Sequence, residues 1–532
     1  MATAVLSAAS TAAAVDDADR YRYKYLIAIA VTLAATLELV DTSIVNVAIP
    51  HMMGNLGATL DEISWVSVGY IIANVIVIPM SSWLSAYFGR RRYLTGSILL
   101  FIVASMFCGA ATTLQGLVLW RVVQGIGGGA LLSTAQSTLW EAFPPHEVGI
   151  GQAMFGVGVM VGPTLGPTLG GFIVDNWNWP WIFYINLPLG IVAAVLTWSY
   201  VRDSIHQERA EKVDWLGIGL MTVAVGSLQW MLERGERYDW FESPFVTSLG
   251  IVSLVSFVWL VLHELSTDEP VIDFHILRDR QLATGVVMGA LLGFALFGSV
   301  FVLPVFLQQL HNFTANQTGM VILPGAIASA FTMAILGRKL RVIPDGRPVI
   351  VVGAVLFAVC MWQLAGLSLD SGKDDVFWPL VIRGVALGLI FIPLNSIALA
   401  EVAPRDLAQG TGLFNLMRQL GGSVGIAVMA TMLSRFTKEK KAVLTEHLSV
   451  TTPDALARLE TFRRGLAAHG MNPFVAKQGA YAILDRTIGA QASVLAFSRI
   501  YLLSGLALLA AIPLMALWRT GRGRITAQAD AH

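Results

Sequence analysis

Three ionisable residues, Glu38, Asp41 and Arg121, lie inside apolar stretches of this sequence. If those stretches cross a bilayer, each charge costs at least about 2.5–3.5 kcal/mol, which makes each residue a candidate for function. Glu38 and Asp41 are three positions apart and therefore share one face of a helix. Two neighbouring carboxylates in a low dielectric repel each other when both are ionised, and this suits reversible proton binding.

The depths of these residues allow them to pair. At a rise of about 1.5 Å per residue, Asp41 lies roughly 13 Å from the outer end of its span at Pro50. Arg121 lies roughly 9 Å from the outer start of its span at Gln115. Asp41, or Glu38 one turn deeper, can therefore reach Arg121. We predict proton coupling at these three residues; the alternative is a static ion pair that only locks helix packing.

Other polar residues within apolar stretches are candidates for lining a substrate cavity. The predicted cavity residues are Asn46, Tyr70, Asn74, Gln124, Gln136, Gln308, Asn395 and Asn415. Each of them, taken alone, is also a common type of interhelical hydrogen-bonding residue. Two further arginines within the spans, Arg383 and Arg418, are expected to be structural.

One span is rich in glycine and proline. Its candidate gating residues are Gly162, Pro163, Gly166, Pro167, Gly170 and Gly171. Small residues let helices approach closely, and proline removes a helix hydrogen bond and bends the span. We predict a flexing element in gating, with tight packing alone as the alternative.

Composition indicates what positions these residues. Of the 532 residues, 55% are hydrophobic and 13% are charged, and the net charge is zero. A soluble chain of this length would need more charge to cover its surface, and no basic face is available for nucleic acid. Each apolar span is long enough to cross about 30 Å of hydrocarbon as a helix. Fourteen such spans lie near 24–48, 61–85, 93–113, 116–141, 150–174, 180–200, 214–232, 245–265, 282–310, 317–340, 347–368, 376–401, 407–434 and 497–518.

Loop charges give the orientation. If the N-terminus is cytoplasmic, the inside segments hold more than half of the 35 basic residues, and the short outside loops hold only Arg234, Arg237 and Lys373. This bias predicts that both termini are cytoplasmic. The first span has no small-residue cleavage site after it, so we expect a membrane helix rather than a signal peptide. A long external loop, about 435–495, has helical patterning and is either a solvated cap over the exit or a docking surface.

Two spans repeat one pattern of glycine and phenylalanine, each after a proline and an acidic residue. The repeated positions are Gly151, Phe155, Gly162 and Gly166, and Gly410, Phe414, Gly421 and Gly425. Both copies begin on the cytoplasmic side, so the repeat is parallel. It predicts two six-helix halves, residues 1–200 and 276–532, with a substrate site between them near the midplane. Residues 201–275 then form an inserted pair of transmembrane helices.

Five stretches carry a family resemblance: 41–50, 121–125, 162–171, 181–190 and 414–422. Together they resemble the major facilitator superfamily, and within it the fourteen-helix drug:proton antiporters of the EmrB/QacA type, with the long external loop closer to EmrB. In that family the arginine matching Arg121 is associated with proton coupling. Glu38 stands where the family has an uncharged polar residue, which fits cationic substrates or an altered proton stoichiometry.

The loop after the second span both matches the superfamily and departs from it. Gly89, Arg90 and Arg91 match the loop motif and are predicted to act in gating. Ser82 and Ala86 stand where the superfamily usually has a glycine and an aspartate, and that aspartate normally helps to latch the two halves.

The resemblance implies an all-α polytopic membrane protein with the major facilitator fold in a bacterial inner membrane. It implies proton-driven efflux of hydrophobic or amphiphilic toxic compounds by alternating access, with no cofactor beyond the proton gradient. It also implies a periplasmic membrane-fusion adaptor and an outer-membrane channel as partners. The alternative is a dedicated proton-coupled exporter of one endogenous metabolite, lipid or siderophore.

Two other classes are disfavoured. An intramembrane enzyme needs a nucleophile–base pair or metal ligands at membrane depth. The nine histidines lie at span ends, in loops or in tails, and the two cysteines, Cys108 and Cys360, lie in apolar runs as small hydrophobic residues. We therefore expect neither an enzyme nor a metal site. A receptor would need a sizeable soluble output domain, which this sequence does not offer.

Overall fold

The computed structural model, which describes residues 21–204, 213–339, 343, 345–446 and 453–518, is almost entirely helical. Within this described part, fourteen helical segments are long and apolar enough to cross a membrane, as predicted. The long helices are α1 (Lys24–Leu56), α2 (Trp65–Phe88), α3 (Arg90–Gly109), α4 (Leu114–Ala142), α5 (Val148–Asn176), α6 (Asn186–Tyr200), α7 (Trp215–Arg234), α8 (Pro244–Glu264), α9 (Arg280–His311), α10 (Ala315–Lys339), α11 (Arg347–Ala365), α12 (Lys373–Leu399), α13 (Leu407–Glu446), α14 (Pro453–Ala468) and α15 (Pro473–Ala510). All except α14 are candidate spans, and the four-residue helices Leu60–Ile63 and Trp181–Tyr184 lead into α2 and α6.

Helix packing divides most of the spans into two groups, one on each side of the inserted helices in sequence. In the first group α5 and α6 pack on α1, and α2 and α3 pack on α4. In the second group α13 packs on α9, α10 and α11 pack on α12, and α15 packs on α11 and α13. We use the predicted orientation to name the two ends, so that α1 begins at the cytoplasmic end and α2 begins at the external end.

Glycines on one face of α5 allow α1 to approach closely. Gly158, Gly162, Gly166 and Gly170 recur every four residues and therefore share that face. A Cβ atom at Gly166 would lie 1.8 Å from the hydroxyl oxygen of Ser43 on α1. A Cβ atom at Gly162 would lie 2.8 Å from another side chain of α1. The glycine-rich stretch thus fixes α5 against α1, the helix that carries both carboxylates.

The opposite side of α5 packs on α10, which belongs to the other half. At the cytoplasmic end a Cβ atom at Gly337 would lie 2.5 Å from the Gly149 carbonyl oxygen. Towards the external end a Cβ atom at Gly319 would lie 2.1 Å from the Thr168 hydroxyl oxygen. Since α5 touches α1 on one side and α10 on the other, it links the carboxylate-bearing helix to the second half.

The inserted pair, α7 and α8, lies over the other seam between the halves. Helix α7 packs against both α2 and α13. An apolar cluster joins the three helices and includes Ile78 of α2, Met221 of α7 and Leu413 of α13. Helix α8 packs mainly on α7, and its outer face exposes large apolar side chains such as Leu262 and Trp259, which suits contact with lipid.

The described residues of the long external segment are mostly helical. Helix α13 continues to Glu446 and α15 already begins at Pro473, so both extend beyond the apolar spans as an antiparallel pair. Lys441 pairs with Asp485 at 2.8 Å across this pair. The lysines, glutamates and alanines that follow the apolar part of α13 are strong helix formers, which is why the helix does not stop at the span. Helix α14 packs on α15.

Candidate functional site

A buried carboxylate forms the centre of the first polar cluster. Asp41 of α1 accepts hydrogen bonds from Arg121 Nη1 at 2.5 Å and Gln124 Nε2 at 2.9 Å, both on α4. It also accepts one from Asn186 Nδ2 of α6 at 2.7 Å. Asp41 is 0% exposed and Arg121 is 1% exposed, so the ion pair is shielded from solvent. The cluster connects α1, α4 and α6 within the first half.

Arg121 has further partners that hold its guanidinium in place. Its Nε donates to the Val66 carbonyl at 2.9 Å, and its Nη1 also donates to Gln124 Oε1 at 2.9 Å. The guanidinium carbon lies 4.1 Å from the centre of the Tyr70 ring, a cation–π contact that is worth about 2 kcal/mol or more when desolvated. The arginine is therefore fixed on several sides, and Asp41 is its only acidic partner among the described residues.

Asn186 is the member of this cluster that sequence reasoning did not predict as a site residue. It is the first residue of α6, and its amide also donates to Ser105 Oγ at 3.0 Å. Asparagine at the start of a helix is usually explained by capping, so its residue type did not indicate a functional role. Its place within the 181–190 stretch was the available clue.

Glu38 has a different environment from Asp41. Asn74 Nδ2 of α2 donates to Glu38 Oε1 at 2.9 Å, while Glu38 Oε2 has no hydrogen-bond partner among the described residues. The Tyr70 hydroxyl is likewise buried without one. Of the two possible pairings with Arg121, the structure contains the one made by Asp41. Glu38 is 5% exposed, so its second oxygen is a buried acceptor that is free to take a new partner.

A second polar cluster joins the two halves near the cytoplasmic end. Gln136 Nε2 of α4 donates to Asn395 Oδ1 of α12 at 2.7 Å. Asn415 Nδ2 of α13 donates to Gln136 Oε1 at 2.6 Å. All three residues are 0% exposed. Together with the α5–α10 contact at Gly337, this cluster joins the two halves at the cytoplasmic end of the interface.

The eight predicted cavity residues thus divide among several places. Tyr70 and Gln124 belong to the Asp41 cluster, and Asn74 belongs with Glu38. Asn46 is exposed on α1 and accepts a hydrogen bond from Ser67 at 3.2 Å. Gln308 is exposed on α9. The remaining three form the cytoplasmic cluster described above.

The predicted gating loop between α2 and α3 is bound within the first half. Arg90 pairs with Glu141 at 2.7 Å, and the Arg91 amide donates to Asp203 Oδ1 at 2.9 Å. Gly89 has a φ of +85°, and a Cβ atom there would lie 3.1 Å from Asp203 Oδ1, so glycine suits both the backbone and the space. These contacts fasten the loop to the ends of α4 and α6.

The candidate gating prolines lie inside the helix that links the halves. Pro163 and Pro167 fall within α5, which continues without interruption from Val148 to Asn176. Gly171, one residue past the α1-facing row, faces α10 instead, because a Cβ atom there would lie 3.1 Å from Asn316. The glycine–proline stretch therefore contacts both helices between which α5 lies.

The chain matches the family model described as Major Facilitator Superfamily over residues 31–426. The chain belongs to the major facilitator superfamily. It is 34% identical over 430 residues to the multidrug export protein EmrB of Escherichia coli K12, covering 80% of this chain and 84% of that protein. It is 32% identical over 487 residues to the fatty acid resistance protein FarB of Neisseria gonorrhoeae, covering 91% and 94%. The predicted resemblance to EmrB-like members is thereby confirmed.

Solved structures support the fold. The proton:xylose symporter XylE matches with a TM-score of 0.56 at 14% identity, covering 94% of this chain and 99% of that one. The human organic anion transporter MFSD10 matches with a TM-score of 0.58 at 13% identity, covering 91% and 99%. The major facilitator fold that we predicted is confirmed, and membership of this family of transporters agrees with the prediction that the chain is not an enzyme.

Proposed function

We propose that this major facilitator exports hydrophobic or amphiphilic toxic compounds in exchange for protons, by alternating access and with the proton gradient as its only energy source. The observation that carries the proposal is the buried Asp41–Arg121 ion pair, beside which lies Glu38 with an unpartnered oxygen. The names of the relatives, multidrug export and fatty acid resistance, support the same class of function.

Proton binding at Asp41 would disturb the cluster around it. Protonating Asp41 removes the charge that Arg121 neutralises, so the arginine must then seek other partners or move. Helix α1, which carries Asp41, packs through glycine contacts on α5, and α5 packs on α10 of the other half. A shift of α1 is therefore transmitted to the interface between the halves. Proton binding would favour one orientation, and substrate binding would favour the other.

Glu38 is the second proposed proton site. It differs from Asp41 because one of its carboxylate oxygens has no hydrogen-bond partner among the described residues. Its Oε1 is held by Asn74, while Oε2 is unpartnered among the described residues and can accept a proton without breaking a hydrogen bond. We therefore propose that Glu38 exchanges protons more readily, whereas Asp41 exchanges them only when Arg121 is displaced.

The test is proton efflux from energised everted vesicles when lipophilic weak acids or cationic dyes are added, measured against vesicles that lack the protein. Wild type is compared with Asp41→Asn and Glu38→Gln, and Arg463→Gln on external helix α14 serves as a control outside the spans. We expect collapse of the pH gradient with substrate, lost in Asp41→Asn and retained in the control. Collapse that survives both carboxylate substitutions would remove these residues from the mechanism but leave antiport standing.

A dedicated exporter of one lipid-like compound is the second candidate. It is favoured by the similarity to FarB, whose name records resistance to fatty acids, over more than nine-tenths of both chains. Protein-dependent gradient collapse with a single class of lipophilic acid, and with no cationic dye, would support this candidate over broad multidrug export.

We propose a bacterial inner membrane as the location, with a periplasmic membrane-fusion adaptor and an outer-membrane channel as partners. The external helices support this proposal, because α14 and the outer part of α15 expose apolar residues such as Leu456, Phe474 and Tyr481 outside the spans. Deletion of 453–468 should abolish co-purification of the adaptor but leave gradient collapse in vesicles unchanged. Co-purification that survives the deletion would exclude α14 as the docking element.

A further inference from the structure

One buried arginine remains outside the clusters described so far. Arg418 of α13 is 2% exposed, and its Nε and Nη1 have no hydrogen-bond partner among the described residues. Its guanidinium carbon lies 5.7 Å from the centre of the Phe391 ring, and Glu38 of the other half is an opposite charge that acts on it. Leaving buried donors of a cation unsatisfied is costly, so this arrangement calls for a physical reason.

The position of Arg418 matches that of Glu38. Counted at about 1.5 Å per residue from the cytoplasmic ends of α13 and α1, Arg418 lies roughly 17 Å deep and Glu38 roughly 21 Å. The two side chains carry opposite charges, and each has a buried polar atom without a hydrogen-bond partner among the described residues. They come from opposite halves at a similar depth. Major facilitators bind their substrates between the two halves near the midplane of the membrane.

The backbone beneath Arg418 is held firmly. A Cβ atom at Gly293 of α9 would lie only 1.9 Å from the Arg418 carbonyl oxygen, so α9 and α13 are in direct backbone contact at this residue. The other buried arginine of this half, Arg383, differs because its Nη1 donates to the Ser299 carbonyl at 3.4 Å within its own half. Arg418 thus has unpartnered donors on a backbone that is packed closely against α9, whereas Arg383 donates a hydrogen bond within its own half.

We propose that Arg418 is the residue that recognises the anionic head group of amphipathic substrates, a carboxylate above all. Its Nε and Nη1 are buried donors without partners, and each can give a charge-assisted hydrogen bond to an anionic oxygen. The apolar tail would lie among the aromatic and aliphatic side chains that surround the interface, beginning with Phe391. Glu38 competes with such an anion for Arg418, so it weakens anion binding and favours cations instead.

This inference deepens the proposed export function and rests on it for its biological meaning, but it makes a separate prediction about binding. The probes are dodecanoate, dodecanol and dodecyltrimethylammonium, which share one tail and differ only in head group. Each is radiolabelled, and its binding to the full chain in phosphatidylcholine nanodiscs is measured by equilibrium dialysis against empty nanodiscs.

The expected result is a selective loss. Arg418→Gln should weaken dodecanoate binding about ten- to hundredfold, because a charge-assisted hydrogen bond is lost together with the cation, and should leave dodecanol binding unchanged. Arg418→Lys keeps the charge but not the guanidinium donors and should lie between wild type and Arg418→Gln. Glu38→Gln should act in the opposite sense, with tighter dodecanoate and weaker dodecyltrimethylammonium. Arg383→Gln is the matched control and should not change the ratio of the three affinities.

The inference is overturned if wild type binds dodecanoate no better than dodecanol, or if Arg418→Gln changes all three affinities by one factor. Should Arg418→Gln fail to fold, Arg418→Lys carries the same comparison, with dodecanol binding as the check on folding. Gradient collapse in vesicles separates this inference from the export proposal. Arg418-dependent dodecanoate binding without any gradient collapse would refute proton-driven export and keep the anion site, and the reverse pattern would refute only the anion site.

Discussion

Replacement of Asp41 by asparagine separates a coupling site from a static ion pair. The substitution keeps the shape of the side chain, and its remaining oxygen can still accept from Gln124 and Asn186. The nitrogen then faces Arg121 Nη1, so a 2.5 Å charge-assisted bond becomes a contact between two donors. Breaking one side of a buried pair costs about 3–5 kcal/mol, since the partner charge stays uncompensated.

The structure places the expected cost at the lower end of that range, about 3 kcal/mol. Arg121 keeps hydrogen bonds to the Val66 carbonyl and Gln124 Oε1, and it keeps the stacking contact with the Tyr70 ring. These groups stabilise part of its charge when Asp41 is neutral. We expect a lower midpoint of thermal unfolding in detergent together with loss of substrate-dependent gradient collapse in vesicles.

The decisive variant is the double substitution Asp41→Asn/Arg121→Gln. With both charges removed, no buried cation is left uncompensated, so the unfolding midpoint should recover towards wild type. Transport should stay absent, because Asp41, the proposed proton site that acts through Arg121 and α1, is still missing. Recovery of both stability and gradient collapse would refute the reasoning, since it would mean that the pair only holds α1 against α4.

Three further outcomes are expected. Gln136→Leu removes two hydrogen bonds between the halves, which together contribute about 1–3 kcal/mol. The cytoplasmic end should then open, and spin-label distances between the cytoplasmic ends of α4 and α12 should lengthen. Unchanged distances would contradict this expectation. Gly166→Val should displace α5 from Ser43 of α1 and abolish gradient collapse, whereas retained collapse would mean that the close contact is dispensable. On external helix α14, hydrogen bonds from Arg463 and the arginine after it lower the pKa of Glu460 from 4.5 to about 2. Any stability from these pairs is therefore complete above pH 4.5 and lost as the pH falls towards 2, and carboxyl NMR should show no titration of Glu460 between pH 7 and 4.5.

Some of the site could be predicted from sequence because the membrane restricts depth. A helix rises by a fixed distance per residue, so matched depths predicted that Arg121 pairs with a carboxylate of α1 but left Asp41 and Glu38 as alternatives. The glycine row of α5 was equally visible, because small residues at every fourth position mark a close helix contact. Sequence did not say which helix fills that contact, since many helices in a bundle can pack on such a face.

The depth of a residue in the membrane does not determine which helices lie beside its own helix. Gln136, Asn395 and Asn415 were each recognised as polar residues within spans, yet only the arrangement of α4, α12 and α13 brings them into one cluster. Asn186 went unnoticed for a related reason: its residue type fits a helix cap, and its bond to Asp41 depends on α6 lying beside α1. Hydrogen bonds between helices are specified by packing, which is distributed over many apolar residues.

The contrast between the two carboxylates of α1 explains why a chain would keep both. Asp41 accepts hydrogen bonds from three donors on α4 and α6, whereas Glu38 has one donor and an unpartnered oxygen. Arg418 of the other half likewise has two donors without partners among the described residues. In the proposed mechanism, a proton on Glu38 or an anion on Arg418 alters the attraction between the halves directly, whereas a proton on Asp41 alters it through α1 and α5. In that mechanism Glu38 sets what the interface binds, and Asp41 sets how that binding moves the first half.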